Sequence, residues 1–222
     1  MGSTRARRRE EITDEEVIVQ RVFDASRFRD VLTRRAAGAI APEEASPKAA
    51  VAAIFQERAG EIDVLLIRRS KSPNDPWSGH MAFPGGRMER SDPGLLETAY
   101  RETFEEIGLD LRTHADMLGR LDDLWSTARG RRSGLIIAPF IFLVRPPFPP
   151  LILNNEVEAV VWASLAPLWS GEAATTLPYG DEGCIVELPA LRVGQDVVWG
   201  LTHRMLQDMF TLLDAACEGG EP

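Results

Sequence analysis

The chain has 222 residues, 44% of them hydrophobic and 27% charged, with a formal net charge of -9 and a pI of about 5.0. That length can bury one sizeable core, as one domain or at most two. The acidic balance argues against a protein that grips a nucleic-acid backbone, but not against a small phosphorylated ligand whose charge metal ions can neutralise.

The N-terminus is charged rather than apolar: Arg5, Arg7, Arg8 and Arg9 precede Glu10 and Glu11. No following run is suited to a signal peptide or a membrane span. Cys184 and Cys217 lack metal-site spacing and are too few for a disulfide scaffold, so free thiols are expected. A cytoplasmic protein without membrane or nucleic-acid partners is the resulting expectation.

Thr13 before Asp14, Glu15 and Glu16 marks a helix start, and one or two peripheral helices are predicted over 16–37. Residues 41–47 form a proline-bearing connector. Strands are predicted over 49–55 and 62–67, with a turn at 58–61, and the second ends in Arg68 and Arg69. A polar loop at 70–79 leads through a short apolar piece, 81–84, into Gly85 and Gly86. Asp92 as cap and Pro93 in the first helical position predict a helix to about residue 107, stopped by Gly108. Further strands are expected at 117–125, 135–144 and 157–162, with a polar turn at 129–133. A short helix at 165–169, a loop at 175–183 and a closing helix at 198–216 complete the chain. This divides it into a tail with a peripheral helical segment (1–45), one domain (46–216) and a short tail (217–222). The order fits a small mixed sheet packed between helices, an α/β fold.

The chemistry concentrates between Gly85 and Leu109. Glu102, Glu105 and Glu106 lie three and four residues apart, so a helix brings them to one face. Like charges so placed repel by a few tenths of a kcal/mol per pair, a penalty that a hard divalent cation removes. Mg²⁺ is held by a few carboxylates plus phosphates and water, which suits phosphoryl chemistry. Arg101 is positioned to hold a carboxylate, and Leu95, Leu96, Ala99, Phe104 and Ile107 are expected to anchor the helix. The rival reading of three glutamates alone is a solvated acidic face. Gly85 and Gly86, whose backbone can approach a metal or phosphate closely, weigh against it.

The run Arg101-Glu102-Thr103-Phe104-Glu105-Glu106-Ile107-Gly108-Leu109 resembles the Nudix box of the Nudix hydrolases. The resemblance implies an α/β/α sandwich around a mixed β-sheet. It also implies Mg²⁺ or Mn²⁺ bound by Glu102, Glu105, Glu106 and the Gly86 carbonyl, with Arg101 orienting the glutamates. The activity implied is hydrolysis of the P–O–P bond in a nucleoside diphosphate linked to another group. The glutamate usual between the glycine and the Arg-Glu pair is missing. Its place falls on Pro93, and Glu89 and Asp92 are the substitutes at hand.

The same longer gap, together with Leu65-Leu66-Ile67-Arg68-Arg69-Ser70, Gly79-His80-Met81-Ala82-Phe83-Pro84-Gly85-Gly86 and Trp199-Gly200-Leu201-Thr202, resembles the coenzyme A pyrophosphatase-like branch. That branch's loop arginine is absent. On the rest of the pattern the resemblance makes coenzyme A or acyl-coenzyme A the leading substrate, against ADP-ribose, sugar nucleotides, NADH or dinucleoside polyphosphates, with a non-catalytic nucleotide-binding module as the third reading. Glu105, Glu106 and Glu156 are candidate general bases, with Glu158 beside them, and a polar strand entrance is the plainer account of the last two. Arg68, Arg69, His80 and Arg131 are candidates for substrate contact. Trp77 and Tyr179 are placed in loops, where either could stack on a base. The family resemblance also admits a homodimer.

Overall fold

The computed structural model describes residues 25–33, 37–39, 46–71, 78–128, 131–181 and 184–218. The expected helix start at Thr13, the basic N-terminal run, Trp77 and Arg129 lie outside them.

The helix α1 (Ala25–Thr33) precedes the strands β1 (Lys48–Arg58) and β2 (Glu61–Arg69), joined by a tight turn at Ala59 and Gly60. Both strands are apolar almost without interruption, the pattern of strands covered on both faces. After β3 (Met81–Ala82) and β4 (Gly85–Arg87) comes the helix α2 (Leu95–Ile107), then the one-turn α3 (Leu111–His114). The strands β5 (Ala115–Arg120), β6 (Leu124–Ala128), β7 (Arg131–Val144) and β8 (Val157–Ser164) follow, then α4 (Leu165–Trp169). A hairpin of β9 (Ala174–Asp181) and β10 (Cys184–Val193), the strand β11 (Asp196–Trp199) and the helix α5 (Gly200–Glu218) close the chain.

Strands β1 to β8 form one mixed sheet. β1 and β7 run parallel from Lys48↔Ile136 to Phe55↔Leu143, and its other pairs are antiparallel. The registers reveal an opening that positions the site. β2 pairs with β1 over residues 61–65 but with β3 at Ile67 and Arg68, while β1 pairs with β4 at 49–51. The central strands therefore diverge at one end, and the segment carrying Gly85 and Gly86 fills the gap.

Alternate side chains of the sheet enter two cores. Phe55, Val64 and Leu66 pack with Phe28 and Leu32 of α1, Leu165 of α4, and Met205, Leu206 and Met209 of α5. Ile54, Leu65, Ile67 and Phe142 pack on the other side with Ala99 and Ile107 of α2. The result is the α/β/α sandwich that the family resemblance implies.

Several expectations need correction. α1 is not peripheral, because Phe28 and Leu32 are buried in the core. The helix predicted from Asp92 starts at Leu95, with extended Gly94 before it and no side-chain cap, because the Asp92 carboxylate turns inward. Phe104 does not anchor α2, being 58% exposed. The strand expected over 117–125 is two strands on the same neighbour, β5 and β6. Residues 131–133 belong to β7 rather than to a turn, and the loop expected at 175–183 is mostly the strand β9.

Candidate metal and diphosphate site

Glu102 and Glu106 lie one turn apart on α2 and point into the opening between β1 and β2. Glu106 is 2% exposed and accepts a hydrogen bond from the Gly85 N–H at 2.9 Å. Gly85 has φ +150°, and a Cβ there would lie 2.3 Å from the Ala50 carbonyl oxygen. At Gly86 a Cβ would lie 2.4 Å from the Glu102 carboxyl carbon and 2.5 Å from both its oxygens. The glycine pair thus lets backbone and carboxylates share one space, a contact no side chain permits.

Arg101 organises the acids. Its Nε and Nη2 donate to the two oxygens of Asp92 at 3.0 and 2.9 Å, a bidentate pair. Nη2 also donates to the Arg87 carbonyl at 3.0 Å. Nη1 lies 3.0 Å from both Glu102 and Glu105. Asp92 accepts further bonds from the Glu89 N–H at 2.9 Å and the Thr98 hydroxyl at 3.0 Å. Asp92, and not Glu89 at 4.0 Å from Nη1, is thus the acid that anchors the arginine. Hydrogen bonds from Arg101 hold the Asp92 carboxyl well below the usual carboxylate range, and Asp92 in turn raises the Arg101 guanidinium.

The far wall comes from the chain beyond β7. Helix α2 ends with open carbonyls. Those of Glu106 and Ile107 accept the N–H groups of Asn154 and Ile152 at 3.0 and 2.9 Å. The Asn154 side chain then accepts the Glu156 N–H at 2.9 Å. Asn154 and Glu156 thereby line the same cleft of about 340 Å³ as Arg69, Arg87 and the three glutamates. Asn154 and Arg87 were not singled out from sequence: no spacing links residue 154 to a motif fifty positions earlier, and a lone arginine after a glycine pair carries no signal.

The other sequence-derived candidates fall elsewhere. Arg68 leaves the cleft and forms ion pairs with Asp196 and with Glu158 at 3.4 Å. His80 packs edge-on against Trp199 at 4.8 Å between ring centroids. Tyr179 is a strand residue of β9, its ring 5.2 Å from that of Trp199. Arg131 begins β7, and its side chain lies outside the described residues.

A profile of the NUDIX domain matches residues 46–180, well over half of the chain. The chain belongs to the Nudix family. A peroxisomal coenzyme A diphosphatase of Caenorhabditis elegans is 34% identical over 48% of this chain and 43% of its own length. Nudix hydrolase 15 of Arabidopsis thaliana, a mitochondrial protein, is 31% identical over 74% of this chain and 58% of its own. An uncharacterized Schizosaccharomyces pombe protein reaches 43% identity over 51% of this chain and 35% of its own length. The chain thus spans roughly a third to three-fifths of these curated relatives. In fold it is similar to a MutT/nudix family protein from Enterococcus faecalis, with a TM-score of 0.53 and 16% identity over 94% of this chain and 76% of that one.

The donor set of the Nudix helix suits a hard divalent ion: carboxylate oxygens, a backbone carbonyl at Gly86, and no sulfur or imidazole. As the side chains stand, no three His, Cys, Asp or Glu groups among the described residues converge on one point. Nη1 of Arg101 stands 3.0 Å from both Glu102 and Glu105. Burial pushes the Glu106 carboxyl up to about 8, with nearby Glu102 and Glu156 adding to the effect against the Gly85 N–H and Arg69. Burial also raises Glu102, against the pull of Arg101. A buried Glu106 and a half-buried Glu102, both raised by desolvation and set against the glycine pair, fit a cation site.

Two predictions arise here. Binding a cation must release the Glu106 proton, so Mn²⁺ affinity should rise up to about tenfold per pH unit below about 8 and level off above it. Isothermal titration across pH 6–9 in two buffers of different ionisation enthalpy checks this, and a flat profile would contradict it. Gly86→Ala should weaken Mn²⁺ by about tenfold or more, as disturbed ligand orientation does. It should leave thermal stability nearly unchanged, because the displaced Glu102 carboxylate is the mobile end of a side chain. Gly85→Ala, which strikes backbone, should instead unfold the protein at lower temperature.

Proposed function

We propose that this chain hydrolyses the diphosphate bond of a nucleoside diphosphate derivative with the help of Mg²⁺ or Mn²⁺. Coenzyme A or acyl-coenzyme A is the substrate we favour, with 3',5'-ADP and (acyl-)4'-phosphopantetheine as products. The observation that carries the reading is the cleft in which half-buried Glu102 and buried Glu106 meet the glycine pair, with Arg69 in the same lining. Support for the coenzyme A class comes from the sequence pattern around Arg68–Ser70 and Phe83–Gly86, and from the similarity to the Caenorhabditis elegans coenzyme A diphosphatase.

Glu102, Glu105, Glu106 and the Gly86 carbonyl would hold the ions, which when bound neutralise diphosphate oxygens and make water more acidic. The remaining roles belong to the protein. Arg69 faces the glutamates across the cleft and binds the substrate's phosphate as a fixed positive charge. Arg101, held by Asp92, keeps Glu102 and Glu105 in place. Glu156 is the carboxylate we assign to take the proton of the attacking water. It is exposed, on the wall opposite α2, and close enough to Glu102 and Glu106 to raise both.

The test is Mn²⁺- and Mg²⁺-dependent turnover of coenzyme A, acyl-coenzyme A, ADP-ribose, NADH, sugar nucleotides and diadenosine polyphosphates, with products resolved by mass. Release of 3',5'-ADP is the expected result. Preferential cleavage of another panel member would keep the diphosphatase chemistry and replace the substrate. A Glu156→Gln variant should lose about 10²-fold in kcat with little change in KM.

A further inference from the structure

We propose that one face of the small sheet formed by β9, β10 and β11 binds an aliphatic chain that the substrate carries beyond its diphosphate; this rests on the diphosphatase reading above. Directly paired residues of antiparallel strands point to the same face, and so do alternate residues along each strand. The pairs Val186↔Tyr179, Leu188↔Leu177 and Ala190↔Trp199 therefore set Leu177, Tyr179, Val186, Leu188 and Trp199 on one face. The opposite face supplies Leu191, Val193 and Val198 to the core. The first face is covered at Ala190, which is 2% exposed, half-buried at Leu177, Leu188 and Trp199, and open at its outer end, where Tyr179 is 41% and Val186 47% exposed. Single apolar residues at a surface are ordinary, but a contiguous row of them marks a place where something binds.

This row is continuous with the cleft. Arg69, which lines the cleft, donates its N–H to the His80 carbonyl at 3.0 Å. The His80 ring abuts Trp199, and Trp199 abuts Tyr179. The Arg68–Asp196 ion pair fixes β11 to β2 at the same point. An aliphatic occupant is favoured over a nucleotide base because the three rings already meet one another at 67° and 45°, leaving no parallel slot between them. Beyond them the face continues as Leu177, Val186 and Leu188. The NUDIX match ends at residue 180, so β10 and β11 lie outside the part of the chain that profile describes.

The experiment compares kcat/KM for coenzyme A with its acetyl, octanoyl and palmitoyl derivatives in the wild type and in Tyr179→Ser with Val186→Ser. Both residues are exposed, and circular dichroism checks that the double variant folds. The wild type should prefer the octanoyl or palmitoyl over the acetyl derivative. The variant should lose about tenfold of that preference, the scale of removing two apolar contacts from a bound chain. An unchanged preference in the variant would overturn the proposal and leave the diphosphatase intact. If the wild type cleaves none of the four, metal-free binding of the same ligands is read by intrinsic fluorescence. Affinity that rises with chain length and is lost in the variant would then sustain the surface while the coenzyme A reading falls. Affinity independent of chain length would overturn the surface as well.

Discussion

Glu106→Gln should abolish most metal-dependent turnover, lowering kcat by about 10³-fold or more, while leaving a protein that melts no earlier than the wild type at neutral pH. The first half follows from the carboxylate's place: 2% exposed, one turn from Glu102 and beside the glycine pair. Losing one ligand in such a site forfeits several kcal/mol of charge stabilisation in the transition state, and each 1.4 kcal/mol is about a factor of ten.

The second half follows from proton linkage. In the unfolded chain this carboxyl titrates near its ordinary value, about 4.3, and in the folded chain near about 8. Between those values the folded state holds the extra proton, so stability falls as pH rises, by up to about 1.4 kcal/mol per unit. Above about 8 the buried charge is fully present and the loss is complete. A glutamine accepts the same Gly85 N–H bond without ever carrying that charge. The wild-type melting temperature without metal should therefore decline from pH 5 to pH 8 more steeply than that of the variant, and Mn²⁺ should restore it in the wild type alone. Calorimetry with and without Mn²⁺ reads both effects. Retained turnover in the variant would remove Glu106 from the metal site, and equal pH slopes would mean that the buried charge is already neutralised by another group.

Much of the fold and part of the site were legible in the sequence because they rest on short-range spacing. The glutamates at three and four residues apart lie on one helix, and Gly108 ends it in the left-handed conformation, φ 70°. The doubly covered strands β1 and β2 read as apolar runs broken only by Asp63. The small sheet was not legible. Pro178 and Gly180 in β9 carry the marks of a loop, yet β9 is the edge of its sheet, where proline costs no ladder bond. Asn154 and the ion-paired state of Arg68 were hidden for a different reason. Each is fixed by a partner far along the chain, the carbonyl of Glu106 in one case and Asp196 in the other. Asp92 stood between two readings. As a helix cap its side chain would accept a backbone N–H of the first turn of α2, but it accepts instead the Thr98 hydroxyl and the guanidinium nine residues on.

That choice makes Asp92→Asn the most informative substitution outside the glutamates. The carboxylate is nearly buried, with its side chain 5% exposed, and meets Arg101, Thr98 and the Glu89 N–H at once. Breaking a buried pair from one side costs about 3–5 kcal/mol where the surviving charge is stranded. Here Arg101 keeps 21% exposure and has Glu102 and Glu105 within 3.0 Å, so a loss of about 2 kcal/mol is expected. The acid side of the stability curve gives the sign. Asp92 has a folded value below its unfolded one, so its contribution is present above about pH 4 and drains away as the pH falls below that. The variant should lack this acid-dependent part, so the two proteins should differ most near neutrality and converge in acid. Function should suffer by a separate route. Without Asp92 the guanidinium loses its anchor, Glu102 and Glu105, each 3.0 Å from its Nη1, lose their fixed placement, and Mn²⁺ affinity should fall about tenfold, as when an outer ligand partner is lost. Urea unfolding at pH 3 and pH 7, together with a Mn²⁺ titration, separates the two effects. A stability loss with unaltered Mn²⁺ affinity would make Asp92 a support of the loop alone. Weakened Mn²⁺ binding in a variant of wild-type stability would show that the pair serves to place Glu102 and Glu105, through Arg101, for the cation.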